Sequence, residues 1–391
     1  MSKELYIDQE ALATLSLLKE GLFKPVDKLM NKKESKKVNQ TKLYKGTSFP
    51  FSFILAPSGR RNEIVLKELK QGEKVSLVCD GKVCGKLICE DVFHVDKDER
   101  VKLIYGTNNP LHKGVINTYQ RLGNFAVCGE FEVNFQDIKN NKQKLQTAIS
   151  NLKAKSVSSI MLSGKPFHRV HERLIRTALV KNDLTVIFLL KSYVDDGLSY
   201  QTRYNVVKYF CDNFLPKDKV ILIPLENTYI FSGFSEVLLN AIVAKNYGCT
   251  QLILGRKKAG IGALYQDNYF SSIVDTIKGI DIHIEIMSDF VYCNKCNTLV
   301  STHTCPHGSH HHIQYHSDSI MELFYLGLIP PAILVRKEIS AIILSDLFPQ
   351  RSEILSKIHQ QLSLNDGLLD DFKPTDFYEN MMHLYQTSSL T

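Results

Sequence analysis

The chain has 391 residues, enough for two or three domains with real cores, and its 44% hydrophobic and 23% charged content is that of a soluble globular protein. Its formal net charge of +7 comes without aromatic-rich basic stripes, so no nucleic acid is expected as a partner and an anionic small molecule is. No run of about 18 apolar residues occurs and no apolar signal region opens the chain, so no membrane partner is expected and the expected location is the cytoplasm.

Leu12, Leu15, Leu17, Leu18 and Leu22 give one apolar face and predict a helix, followed by a charged loop at Lys32–Lys37. From Phe49 to about Val133 short β-type segments take over, at Phe51–Leu55, Val75–Cys79, Val83–Cys89, Val101–Ile104 and Phe125–Cys128, with Asp80-Gly81 as a hairpin signal. This predicts a compact all-β module. The polar, helix-compatible stretch Asn140–Lys155 forms the boundary. Beyond it, strands ending at Leu162, Leu190, Pro224 and Leu254 alternate with helices from about Arg169, Gln201 and Glu236. Strand and helix in alternation mean a parallel sheet, which binds ligands at the carboxyl ends of its strands. After Arg351 only an amphipathic helix and a polar end are expected. The predicted domains are residues 1–145, 146–290 and 291–391.

One junction carries most of the chemistry. The apolar run ending at Leu162 meets Ser163-Gly164-Lys165-Pro166-Phe167-His168, and a helix pattern with Leu174, Ile175, Ala178 and Leu179 begins just past His171. A strand, a tight turn and a helix start aim backbone N–H groups and the positive end of a helix dipole above the sheet edge, which favours phosphate. His168 and His171, three apart, share a face and can both donate to phosphate oxygens. The plainer alternative for the pair is a packing role at the helix start.

Nine cysteines is an odd number, and no disulfide framework is expected. Cys79, Cys84, Cys89, Cys128, Cys211 and Cys249 lie in apolar runs and read as buried thiols. Cys293-Asn294-Lys295-Cys296, Cys305-Pro306-His307 and then His310, His311 and His312 offer the ligands of a tetrahedral structural Zn2+ with no open position. Cys293, Cys296 and Cys305 are the expected sulfur ligands, with His310 preferred over His307 as the fourth.

His168-Arg169-Val170-His171 after Pro166 resembles the HxGH signature of nucleotidyltransferases, and in particular the Gln-Thr-Arg-Asn-Pro-Leu-His-x-Gly-His of the ATP sulfurylase family. Further matches follow that family's order. Gly21-Leu22-Phe23-Lys24-Pro25-Val26 resembles its Gly-Phe-x-x-Pro-Leu, and Thr107 to Val115 its Thr-x-x-x-His-Pro-Gly-Val. Asp196 to Arg203 resembles its Asp-x-x-x-x-x-x-Arg, and Ser232-Gly233-Phe234-Ser235-Glu236 its Ala-Gly-Pro-Arg-Glu. Gly255-Arg256-Lys257-Lys258-Ala259-Gly260 is similar to its Gly-Arg-Asp-His-Ala-Gly. Near the C-terminus, Gly327 to Pro331 and Arg336-Lys337-Glu338-Ile339 correspond to its Gly-x-x-Pro-Pro and Arg-Pro-Glu-Val. The resemblance covers about residues 12 to 350.

The resemblance implies an α/β multidomain protein. It would comprise a β-rich PUA-like N-terminal domain, a Rossmann-like HxGH-type nucleotidyltransferase domain and a small zinc-bearing C-terminal region. The implied reaction is sulfate adenylyltransfer, MgATP and sulfate giving adenylyl sulfate and pyrophosphate, with Mg2+ accompanying ATP and a homo-oligomer possible. His168, His171 and Lys165 would be the catalytic group. Ser163, Pro166, Phe167, Gly233, Gly255, Arg256, Lys257, Lys258, Ala259 and Gly260 would bind nucleotide and anion. The departures are specific: the family's arginines are replaced by Gly164, Ser235 and Met321, its Asp-His by Lys257-Lys258, and its glycine between the histidines by Val170. Two readings stay open. Either Lys165, Lys257 and Lys258 rebuild the anion site, for sulfate or for a different oxyanion, or they are ordinary surface lysines of a homologue that has lost catalysis. No glycine-rich kinase loop follows, so no fused adenylyl-sulfate kinase is expected.

Overall fold

The computed structural model describes residues 3–193, 197–233, 235–255 and 277–351, together with Ile354, Lys357, Thr375 and Tyr378. Its N-terminal part comprises β1 (Lys3–Tyr6), α1 (Gln9–Lys19), α2 (Lys32–Thr41), β2 (Leu43–Tyr44), β3 (Thr47–Ser48), β4 (Leu55–Pro57), α3 (Arg60–Glu68), β5 (Lys74–Cys79), β6 (Lys82–His94), α4 (Lys97–Tyr105), α5 (Lys113–Arg121) and β7 (Leu122–Val133). Five of the strands form one sheet in the order β1-β5-β6-β7-β4, antiparallel except where β1 pairs with β5. The expected hairpin joins β5 to β6. Asp80 and Gly81 both take positive φ, 49° and 73°, as a tight turn between twisted strands requires.

Two expectations for this region are corrected. The module is not all-β, because Val101–Ile104 lies in helix α4, capped by Asp96, whose side chain accepts from the Glu99 N–H at 3.0 Å. Asp98 and Glu99 fill the first turn and Gly106 closes the last at φ 73°. A four-residue apolar run fits a strand or a helix equally well, and here the caps decide. The Lys32–Lys37 run is not a loop either. Asn31 and Glu34 form a reciprocal capping box that starts α2, and Ser35 and Val38 turn inward.

Helix α6 (Gln136–Leu152) leads into the second part: β8 (Val157–Leu162), α7 (Arg169–Lys181), β9 (Leu184–Ser192), α8 (Tyr200–Phe214), β10 (Val220–Asn227), α9 (Ser235–Tyr247), β11 (Gln251–Gly255) and β12 (His283–Met287). The strands form a parallel sheet in the order β10-β9-β8-β11-β12. Alternate residues of one strand serve different cores. Met161, Phe188, Leu190 and Leu254 pack into a core shared with the N-terminal module, whereas Ile160, Leu162, Leu189 and Ile253 pack against α7, α8 and the two later helices. The order reverses between β8 and β11, so the carboxyl ends of those two strands flank the switch point where open parallel sheets bind ligands.

A small antiparallel sheet, β14 (Thr298–Ser301), β13 (Phe290–Cys293) and β15 (His312–Ile313), precedes α10 (Ser317–Tyr325) and α11 (Lys337–Leu347). All nine cysteines are free thiols. Among the described residues, no helix is long and apolar enough to cross a membrane.

The junction of the two parts is tightest at Gly233. Its φ is 60°, and a Cβ there would lie 2.8 Å from the Ile104 carbonyl oxygen and 3.2 Å from Tyr105 Cα. Both the backbone conformation and the space demand glycine. Gly233→Ala is therefore expected to destabilise the chain by about 1–3 kcal/mol, read as a lowered midpoint of urea unfolding. An unchanged midpoint would contradict this account.

Candidate functional site

The turn between β8 and α7 stands at the switch point. Ser163 is exposed, whereas Gly164, Pro166, Phe167 and His168 are buried and Lys165 is half-buried. Gly164 takes φ 64°, a conformation in which an arginine side chain would be strained, so the residue standing in the family's arginine place matches the local backbone. The Ser163 carbonyl accepts from Arg203 Nη1 at 2.7 Å, and the same nitrogen donates to the Leu190 carbonyl at 2.8 Å. Arg203, at 3% exposure, thus fixes the turn to the end of β9.

His168 and His171 stack, with ring centroids 3.8 Å apart and planes at 25°. Phe167 lies parallel to His171 on one side, and Tyr315 flanks His168. The His168 backbone N–H donates to His171 Nδ1 at 3.2 Å, which leaves the neutral His171 ring its proton on Nε2. His168 Nδ1 is buried, and among the described residues no full hydrogen bond reaches it. Burial pushes His171 down to about 4. It pushes His168 well below the usual histidine range, with the neighbouring His171 adding to the effect. At neutral pH both rings are uncharged.

The donors of this helix start are only partly open. The Arg169 N–H bonds the Leu334 carbonyl at 2.9 Å, and that of His168 is held by His171. Glu172, 4% exposed, accepts from Arg336 Nε at 2.9 Å and lies 2.8 Å from its Nη2, with Arg169 Nη1 at 3.3 Å. The Arg336 guanidinium also covers the Phe214 ring at 4.0 Å. Arg336 belonged to a recognised motif and Glu172 directly follows the histidine pair, but nothing in their spacing announced that they meet.

The other expected site residues fall around the same edge or outside the described residues. Gly255 ends β11, exposed and with open space around it, next to β8. Arg256, Lys257, Lys258, Ala259 and Gly260, and Asp196, lie outside the described residues. Gly233 serves the domain junction and lies two residues before the start of α9. Ser235 is buried at the start of that helix, and Met321 sits in the apolar core with Ile320 and Phe324. One cluster at this edge was not anticipated. Glu226, 4% exposed at the end of β10, accepts from Lys191 at 3.2 Å and from the Tyr193 hydroxyl at 2.5 Å. Burial first and Glu226 second push Tyr193 far above the usual phenol range.

In the cysteine cluster the expected fourth ligand is corrected. Cys293, Cys296, Cys305 and His307 present ligand atoms within 4.8 Å of one another, and His310 is not among them. His307 Nδ1 lies 3.4, 3.3 and 3.7 Å from the three sulfurs, and Cys296 and Cys305 are 3.9 Å apart. Bonds of about 2.3 Å to sulfur and 2.0 Å to nitrogen give tetrahedron edges of roughly 3.5–3.8 Å, so this donor set fits a four-coordinate metal. His310 lies in the 3-10 turn Ser309–His311 and folds back over Gly308. His312 Nε2, 3.4 Å from Cys305 Sγ, can donate to that sulfur from outside the set. Burial opposes ionisation of Cys293, but the N–H groups of Cys296 and Lys295 together with the Cys305 and Cys296 thiols outweigh it and hold the thiol at about 6.

A parallel sheet carrying paired histidines above its switch point defines an α/β nucleotidyltransferase, here fused behind a β-rich module. The chain belongs to the ATP-sulfurylase family: that family model matches residues 136–346, and the model of a PUA-like domain matches residues 1–135. Sulfate adenylyltransferase of Chloroflexus aurantiacus is 26% identical over 349 residues, covering 87% of this chain and 90% of its own. The protein of the same name from Carboxydothermus hydrogenoformans is 28% identical over 357 residues, covering 88% and 90%. Among solved structures, the hexameric APS kinase from Thiobacillus denitrificans superposes with a TM-score of 0.65 at 17% identity, over 90% of this chain. This chain spans 64% of the length of that structure, and at this identity the likeness shows the fold.

The buried histidines give the pH dependence of stability a definite sign. Below pH 6.5, the ordinary histidine value, the unfolded chain takes up protons that folded His171 refuses until about pH 4. Folding free energy is therefore expected to fall as pH drops through that window, and His171→Gln to flatten the slope. Urea midpoints taken from pH 7 to pH 4 check it, and equal slopes for the two proteins would contradict the assignment.

Proposed function

We propose that the protein is a sulfate adenylyltransferase, joining the adenylyl group of MgATP to sulfate and releasing pyrophosphate, a step of sulfate activation. The observation that carries the reading is the stacked, uncharged His168/His171 pair at the switch point of the parallel sheet, in a chain that the ATP-sulfurylase family model matches over residues 136–346. In the reaction a sulfate oxygen forms a bond to the α-phosphorus while the bond from that phosphorus to the bridging oxygen breaks, and pyrophosphate carries the electron pair away. Bound Mg2+ supplies charge neutralisation on the phosphates. The chain's own task is in-line positioning and hydrogen bonding. His168 and His171 Nε2–H serve as donors to phosphate oxygens, and Lys165, Arg256, Lys257 and Lys258 serve as cations around the two anions. A homo-oligomer fits this reading, since the APS kinase from Thiobacillus denitrificans, whose fold this chain shares, is hexameric.

A second reading draws on Met321 and Gly164. The first sits in the apolar core and the second takes a backbone conformation suited to glycine, so neither place offers a guanidinium. On that reading the chain binds nucleotide without sulfate chemistry, or adenylylates another oxyanion. Losing one such donor costs roughly 10²–10³ in rate. Sulfate-dependent exchange of labelled pyrophosphate into ATP decides between the two. Exchange that requires sulfate is the expected outcome. Its absence in folded protein that binds ATP would support the second reading.

We also infer that Cys293, Cys296, Cys305 and His307 hold a structural Zn2+. Metal analysis of the purified chain is expected to give about one zinc per chain. His307→Ala should lose the metal and His310→Ala should keep it. Loss in the His310 variant alone would reverse the ligand assignment.

A further inference from the structure

A cavity of about 340 Å³ opens in the N-terminal module, lined by residues of β1, α1, β4 and α5 and, from the α/β part, by Tyr229. It shares no residue with the His168/His171 turn. Its exposed members are Tyr6, Asp8 and Asp80, whereas Leu55, Arg100, Thr118 and Leu122 are buried. The volume is within the range of small-ligand pockets.

Arg100 is the anomaly. It is 4% exposed, and among the described residues no carboxylate lies within ion-pair distance of it. Its partners are neutral. Nη1 donates to the Ser52 carbonyl at 2.6 Å, the Phe51 ring lies 4.8 Å from the guanidinium carbon, and the Tyr229 hydroxyl is within hydrogen-bonding reach. Burial pulls its pKa below the ordinary arginine range. A guanidinium with five donors and no carboxylate partner is costly to bury, and one that lines a cavity can have that cost offset by an anion bound there. Arg121 does not fill this role. It pairs with Asp8 at 2.6 Å and with Glu10, and it lies over the Tyr229 ring at 4.9 Å.

The geometry points to a second ligand site in this cavity, for a small organic monoanion whose carboxylate or sulfonate pairs with Arg100 and whose apolar body lies against Leu55, Leu122 and Tyr229. The charge balance sets the limit. Asp8 and Arg121 on the rim offset one another and Asp80 adds a carboxylate, so Arg100 is the one lining cation without a carboxylate partner among the described residues and matches a single negative charge rather than a polyanion such as ATP or pyrophosphate. The site stands independently of the adenylyltransferase reading.

Benzoate is a suitable probe. Calorimetric titration of the full chain is expected to show saturable 1:1 binding that neither sulfate nor MgATP displaces. Arg100→Met keeps the volume and removes the charge, and it should weaken benzoate at least tenfold. The same variant is expected to unfold at a higher temperature without ligand, because an uncompensated buried charge has been removed. Ala56→Phe, which fills the cavity wall and leaves Arg100 in place, should abolish binding and decides the matter if the methionine variant does not fold. Absence of saturable binding, displacement by sulfate, or unchanged affinity in either folded variant would overturn the proposal.

Discussion

The ion pair between Glu172 and Arg336 is the constraint on which the candidate site rests. Glu172 follows His171 in the first turns of α7, and Arg336 precedes α11, so one buried contact fastens the histidine-bearing helix start to the C-terminal part. Arg336 also lies over Phe214 at the end of α8, which brings a third helix to the same point. Breaking such a pair from one side leaves an uncompensated buried charge, at a cost of about 3–5 kcal/mol. Arg203 does for the preceding turn what Arg336 does for the helix, holding the Ser163 and Leu190 carbonyls together. The histidines are therefore held by second contacts that no substrate supplies, which is what a preorganised donor set requires.

That use of arginine has a consequence for anion binding. Arg169, Arg203 and Arg336 all surround the turn, and each is engaged with protein groups. The histidine rings are neutral, so they bring donors but no charge until a proton arrives. An anion bound against them favours the protonated form and would draw their pKa values upward, coupling affinity to pH. On the proposed reading, positive charge at the edge comes from lysines together with Arg256, and the lysines attract oxyanions as mobile point charges without imposing the planar fork of arginine. Charge neutralisation is retained more readily than geometry in such a site.

The alternating strands and helices from Val157 to Gly255, the Asp80-Gly81 hairpin and the histidine turn were legible because periodicity, turn residues and motif order all pointed the same way. The N-terminal module was misread where signals were short. Val101–Ile104 is apolar enough for a strand, and only the flanking Asp96 and Gly106 make it a helix. The Lys32–Lys37 run has the composition of a solvated loop, yet Asn31 and Glu34 close a capping box around it. The Cys/His group was legible as a set but not in its fourth member. The sequence reading prefers His310, whereas the turn at Ser309–His311 carries that residue away and His307 joins the three cysteines. Long-range pairs such as Glu172 with Arg336 leave no local trace in the sequence, because each residue alone is an ordinary charged position near a helix start.

Two arginines show how the fold distributes its electrostatic costs. Arg336, itself half-buried, meets the buried carboxylate of Glu172, and that pair stabilises the junction on which the histidines depend. Arg100 meets only a carbonyl, an aromatic face and a phenol, so its burial stabilises little by itself. The surrounding apolar core, continuous between the N-terminal module and one face of the parallel sheet, is large enough to carry that cost. Gly233 and the Thr14–Thr228 hydrogen bond of 2.9 Å fix the β10–α9 loop to the module on either side of Tyr229. Tyr229, part of the cavity wall beside Arg100, therefore sits in a segment anchored to the module at both Thr228 and Gly233.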